Sequence, residues 1–344
     1  MPSLLSFLNP TQAFPAPIKG GSVSNNQKFF FYCNYPEKVV NSSRADGGYS
    51  KYLASETVTG EGHVYSWHHN ITGMTVKHAM LVVNDSLTNT LSVDVINQGT
   101  TSCTLSVAND LSGWASYLSQ KLSQTFTVLP GKFICLFEHT VNSDCCSGII
   151  GHIKITGGSA RLQDVFYSAA PTIVPSSLAP KYDNYDDNRV RGLSTAGYVF
   201  TLTTPLINAY GNTHTEMAVI GKPSEGSFND ADMSTIAGKR LIGCYGQIMN
   251  FKMQVGNNSG VAKKLRIGMA SRGGVGYYLA GFTSDATFTN AHTIYTKPTP
   301  STPHEYVDII ETDTINPGYS QTINFFTVIT GGSTAPYALS VRTC

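Results

Sequence analysis

Four histidines crowd one short stretch of the chain, His63, His68, His69 and, nine residues on, His78. Imidazole is a common metal ligand and the side chain whose charge changes near neutral pH. On a strand, His63 and His69 are an even number of residues apart and share a face. No carboxylate or cysteine stands at a spacing that completes a tetrahedral zinc set, so spacing predicts surface or cross-strand histidines. A second constellation is rich in oxygen. The segment KYDNYDDNR carries Asp183, Asp186, Asp187 and Asn188, hard donors of the kind Ca²⁺ takes. It lacks EF-hand spacing and the distal glutamate. It therefore reads first as a solvated acidic linker, with weak Ca²⁺ binding as the one cofactor expectation.

Seven cysteines are present, an odd number, so at least one thiol is free or pairs with another chain. Cys33, Cys103, Cys135 and Cys244 lie in or beside apolar runs, where a free cysteine packs as a small hydrophobe. Cys145 and Cys146 sit in the polar segment NSDCCSG, and Cys344 is the last residue. Those three are the candidates for disulfides between subunits, formed under oxidising conditions. Asn41, Asn70, Asn84 and Asn257 each begin an Asn-x-Ser/Thr tripeptide. They read as turns in which the side chains bond the backbone. Tyr277 and Tyr278 in GGVGYYLAG, with Tyr182 and Tyr185, could stack on sugar faces, although core packing is the plainer reading. No Ser-His-Asp set, nucleophile elbow, P-loop or dinucleotide fingerprint occurs, so no catalytic residue is assigned and the chain is not expected to be an enzyme.

The elements that must hold these residues are strands. KFFFYCN, HVYSWHH, KHAMLVV, LSVDVI, FICLFEH and IIGHIKI follow one another with turn residues between, the pattern of a sandwich or barrel. Farther on, Met249, Phe251, Met253 and Val255 alternate with Asn250, Lys252 and Gln254, and Leu265, Ile267 and Met269 alternate with Lys264 and Arg266. Half-buried antiparallel strands alternate in this way. Tyr337, Leu339 and Val341 repeat it. Pro130-Gly131 and Pro317-Gly318 each introduce a strand through a tight turn. One helix is expected, within Leu111 to Lys121. The order of parts is the same in both halves, and a chain of 344 residues is long enough for two cores. The expected fold is all-β, two tandem antiparallel β-sandwich domains of Ig-like or jelly-roll type. An N-terminal Pro-rich arm covers 1–27, the first sandwich 28–170, a linker 171–190 and the second sandwich 191–344.

The stretches YGQIMNFKMQVGNNSGVAKKLRIGMASRGG and INPGYSQTINFFTVITGGSTAPYALSV resemble the Ig-like sandwiches of stalk-type surface proteins exported by spore-forming bacteria. HVYSWHHNITGMTVKHAMLVVNDSLTNTLSVDV is similar to the sandwich that accompanies them. The resemblance implies a surface scaffold and brings no catalytic residues.

Charged residues make up 13% of the chain and the net charge is +1, so no broad field favours nucleic acid, and self-association meets little Coulomb resistance. No apolar run is long enough for a membrane span. The N-terminal text lacks a basic n-region and reads as an extended arm rather than a classical signal peptide. The expectation is a structural, self-assembling subunit of an extracellular or spore-surface filament or lattice. Its assembly arm carries Leu4, Leu5, Phe7, Leu8 and Phe14. The expected partner is a second copy of the chain. The alternative is a monomeric carbohydrate-binding or adhesin module whose partner is a surface glycan.

Overall fold

The computed structural model describes residues 2–9, 15–46, 51–105, 109–119, 122–168, 190–221, 227–228, 233, 235–272, 274–283, 291–296 and 306–344. The fold is all-β, and among the described residues Leu111–Ser119 is the one α-helix. Its Trp114, Tyr117 and Leu118 are buried, as helical spacing predicts. The chain divides into two compact units. The first comprises Gln27–Tyr198 with Ile236–Lys239; the second comprises Met1–Asn26, Val199–Thr235 and Arg240–Cys344.

The first unit is organised by one strand of 24 residues, Cys145–Ser168. It pairs antiparallel with Ala54–Asn70 along most of its length. Its first half also pairs with Leu91–Thr104, and its second half with Val76–Val83. A strand shared in this way must turn from one layer into the other. The turn falls where the register with Ala54–Asn70 shifts, between Ile155 and Ala160. There Gly157 and Gly158 have φ of +89° and +155°, and a Cβ on Gly157 would lie 2.5 Å from the Thr90 carbonyl oxygen. No other residue fits that corner without strain. Val76–Val83 then carries Phe133–Val141, Leu91–Thr104 carries Gln124–Val128, and Ala54–Asn70 takes Phe29–Cys33 and Lys38–Val39 in parallel. Arg191–Ser194, placed by the sequence in the second domain, pairs with Phe29–Cys33 in this unit. Phe31, Val64, Met80, Val93, Ile149, Ile153, Leu162 and Phe166 form the core. Each such side chain stabilises the fold by about 1.5–3 kcal/mol relative to exposure.

The second unit has two sheets. One runs Ser3–Asn9, Tyr306–Glu311, Leu265–Ser271, Tyr337–Thr343, Glu216–Ile220, Ala16–Pro17. The other runs His292–Thr296, Gly276–Phe282, Ser320–Ile329, Ile248–Asn257, Val199–Thr203, Ser22–Asn25. The alternation in the sequence is realised here. Met249, Phe251, Met253, Val255, Leu265, Ile267, Met269, Tyr337, Leu339 and Val341 all enter the core, while Lys252, Gln254 and Lys264 are exposed.

The N-terminal segment lies along this unit's own sheet edges. Ser3–Asn9 pairs with Tyr306–Glu311, with Phe7 opposite Asp308 and Leu8 opposite Val307. Ala16–Pro17 pairs with Glu216–Met217, and Ser22–Asn25 with Val199–Thr203. Leu4 packs on the core and Leu5 is half-buried. The physical reason is the edge itself, whose unpaired N–H and C=O groups are satisfied by an added strand. Phe14 lies outside the described residues.

The Asn-x-Ser/Thr turns are pinned from within. Asn84 donates from Nδ2 to the carbonyls of Asn89 (2.7 Å) and Val128 (2.9 Å), while its Oδ1 accepts from Ser86 N (3.1 Å). Asn257 donates to Val261 O (2.9 Å) and Ile315 O (2.7 Å) and accepts from Ser259 N (3.0 Å). Asn70 does the same with Met74 O (2.9 Å), Val141 O (3.2 Å) and Thr72 N (3.1 Å). All three are fully buried, so their amides are committed to the fold.

Candidate functional site

Ser66 and His68, two residues apart on Ala54–Asn70, point to the same side of their strand. Cys33, at the end of Phe29–Cys33, stands beside Ser66 in the parallel register. Asp164, on the second half of the long strand, and His78, on Val76–Val83, come from the adjoining sheet segment. Because the shared strand turns at Gly157-Gly158, groups nearly one hundred residues apart meet. All five side chains are buried.

Asp164 is the hub. Its Oδ2 accepts from Ser66 Oγ at 2.5 Å and lies 3.2 Å from His68 Nε2, and its Oδ1 lies 2.9 Å from His78 Nε2. His68 Nδ1 faces the Pro36 carbonyl oxygen at 2.6 Å. A carbonyl only accepts, so this nitrogen carries a proton. His78 Nδ1 meets Ser147 Oγ at 2.7 Å, and that hydroxyl also meets His139 Nε2 at 2.8 Å. Phe166 stacks on His78 with ring centroids 4.1 Å apart. Cys33 Sγ donates to Tyr35 O at 3.6 Å.

Burial works against charge throughout this cluster. It brings His78 down to about 4, the neighbouring Asp164 carboxylate only partly opposing it, and it lowers His139 as well. For Asp164 burial alone would raise the carboxyl, yet the charges and hydrogen bonds of His78 and His68 outweigh it and hold the group well below the usual carboxylate range. Burial and the Asp164 charge push the Cys33 thiol well up. The Cys33 sulfur, a His68 nitrogen and an Asp164 oxygen all lie within 4.8 Å of one another, the one such trio among the described residues.

Of the surface or cross-strand histidines expected, all four are inside, and His63 and His78 stand opposite His152 and His139 on paired strands. His63 is fully buried and stacks on Tyr198 at 4.5 Å. His69 is nearly so, its Nε2 2.8 Å from Asp144 Oδ1. Asp164 and Cys33 could not be found from local spacing, because each is supplied by a distant strand. A signal did exist, since Val64, Tyr65 and Trp67 are interleaved with these histidines.

Among the cysteines, Cys344 is exposed, Cys145 is half-buried, and Cys146 is buried opposite Cys103 on Leu91–Thr104. All seven are free thiols. The hydrogen bond between Cys146 and Cys103 lowers the Cys103 thiol and raises that of Cys146. Cys33 and Cys244 are buried as expected, but Cys135 is exposed. Asp183, Asp186, Asp187 and Asn188 lie outside the described residues. Tyr278 is fully buried, whereas half-buried Tyr277 lies beside exposed Tyr295 with ring centroids 5.1 Å apart. A cleft of about 310 Å³ in the first unit is lined by Gln98, Gln124, Cys135, Phe137 and Glu138 among others. Glu138 there is bound by Lys77 and Tyr167.

No protein-family profile matches the chain, and no curated protein matches it. Among solved structures, the PBSX exported protein XepA aligns over 85% of this chain and 85% of its own, at 7% identity and a TM-score of 0.18. The CUB1-EGF-CUB2 region of human MASP-1/3 aligns over 87% of this chain and 97% of its own, at 10% identity and a TM-score of 0.14. A multicopper oxidase from Campylobacter jejuni aligns over 73% and 47%, at 9% identity and a TM-score of 0.11. Likenesses at these scores carry no argument about function.

Proposed function

We propose that the chain is a structural subunit of an extracellular or spore-surface assembly, held together by copies of itself. The observation that carries this reading is the path of the N-terminal segment. Within its first 25 residues it supplies three strands, each at the end of a sheet. A segment paired along sheet edges can leave its own sheet and complete the same edge of a neighbour, since the two states make the same hydrogen bonds and the same core contacts of Leu4, Ile18 and Val23. No helix of the described residues is long and apolar enough to cross a membrane.

A covalent lock fits the same reading. Cys344 and Cys145 are the thiols of the expected set that a second molecule reaches, while Cys146 is occupied inside. Oxidation of two such thiols to one disulfide would release two protons and pass two electrons to a small-molecule disulfide or to O₂.

Deletion of residues 2–19 tests the proposal. Sedimentation should show the large species of the full chain lost, and a synthetic peptide of residues 2–19 should bind the truncated protein in trans. A truncated protein that assembles like the full chain would overturn it. Tyr277 and Tyr295 favour a second reading, a glycan-binding module, because two adjacent partly open rings form a stacking surface. Glycan-array binding that is lost in Tyr295→Ala would support it.

A further inference from the structure

We infer that Cys33 Sγ, His68 Nε2 and one oxygen of Asp164 form a binding site for a single divalent transition-metal cation of the zinc class. Three strands deliver the three donors: Phe29–Cys33, Ala54–Asn70 and Cys145–Ser168. Their ligand atoms lie within 4.8 Å of one another. Donors bound to one zinc ion at about 2.0–2.3 Å stand roughly 3–4 Å apart, so seating the ion needs movements of about 1 Å or less.

The surroundings match what a metal site requires. The Pro36 carbonyl holds the His68 Nδ1 proton at 2.6 Å, which fixes the tautomer and leaves Nε2 to face the other donors. Ser66 donates to Asp164 Oδ2 and orients the carboxylate. His78 Nε2, 2.9 Å from Asp164 Oδ1, stands next to the trio as a fourth donor and a second nitrogen. One sulfur, one or two imidazoles and one carboxylate are the borderline set that suits zinc; Ca²⁺ and Mg²⁺ need more oxygens than the site offers.

A divalent cation held by a Cys33 thiolate and the Asp164 carboxylate leaves this buried site without net charge. Since the trio is fully buried, the ion enters before folding is complete.

The full chain, unfolded in reductant and chelator, can be refolded with Zn²⁺, Co²⁺, Ca²⁺ or no metal and then desalted. About one Zn²⁺ or Co²⁺ per chain should remain, and no Ca²⁺ should remain. The Co²⁺ form should show a thiolate-to-metal charge-transfer band that is lost in Cys33→Ser. His69→Gln, on the same strand outside the trio, should load fully. Wild-type protein that refolds but retains no Zn²⁺ or Co²⁺ would overturn the inference. So would a thiolate band unchanged in Cys33→Ser. If Cys33→Ser does not fold, metal content and the Co²⁺ spectrum of the wild type decide the matter. The test does not depend on whether the chain assembles.

Discussion

Asp164 in the first unit and Asp308 in the second are both fully buried carboxylates on central strands, and they are balanced by different means. Asp164 faces His68, His78 and Ser66. Asp308 faces Arg342, whose Nε lies 3.2 Å from Oδ1, and Arg266, whose guanidinium lies 3.6 Å from Oδ2. Guanidinium keeps its charge at every ordinary pH and offers no lone pair. Imidazole can give up a proton and take a metal instead. The first unit therefore has an interior that can exchange protons for a cation, and the second has a permanent ion pair. The second unit's interior also holds neutral hydroxyls, as where Thr327 and Tyr337 meet at 2.8 Å, and one buried imidazole, His214.

The largest expected effect comes from Arg342→Met. It leaves Asp308 buried with only the more distant Arg266, at a cost of roughly 3–5 kcal/mol. Denaturant unfolding followed by a probe in the second unit measures it; a loss below about 1 kcal/mol would mean that the pair is not what holds this sheet. Next, Asn84→Ala and Asn257→Ala should each cost roughly 2–3 kcal/mol, because each strips the donor from one buried and one partly buried carbonyl. Similar losses in the two units would sharpen the comparison, by showing that their turn framework is shared even though their interiors are not.

That framework was the most legible part of the sequence. The Asn-x-Ser tripeptides and the Pro-Gly pairs are local signals, and their turns form within a few residues. Alternation placed Phe251 inward and Lys252 outward for the same reason, since the period of a strand is local. The helix within Leu111 to Lys121 also followed from spacing. The buried cluster was illegible because pairing partners are not written locally. His68 and Asp164 are 96 residues apart and meet only after a strand of 24 residues has turned between layers. Without that contact, a His-His pair looks like a polar surface. The N-terminal segment posed the converse problem. Its apolar residues marked it as needing a sheet edge, but nothing in them says whose edge.

Acid should act on the second unit through His214, which burial and the Arg342 charge lower to about 3. A histidine whose folded value lies below its unfolded value of about 6.5 contributes stability that is complete above that pH. The contribution is lost as pH falls toward the folded value, by roughly 2 kcal/mol at pH 5. His214→Phe, which keeps a ring on Tyr306, should flatten this limb of a stability-against-pH curve; an unchanged limb would place the acid sensitivity elsewhere. The smallest effect is reserved for the paired turns. Gly131 and Gly318 have φ of +66° and +74° with open space around them. Alanine there meets no atom and should cost only about 1 kcal/mol of backbone strain at each site. Unequal losses in thermal unfolding would break the likeness between the two turns.

Electron microscopy of the purified full-length chain tests the scaffold assignment most directly. Filaments or sheets that disappear when residues 2–19 are removed are the predicted result. Single particles of one chain each at every concentration, with or without that segment, would contradict it.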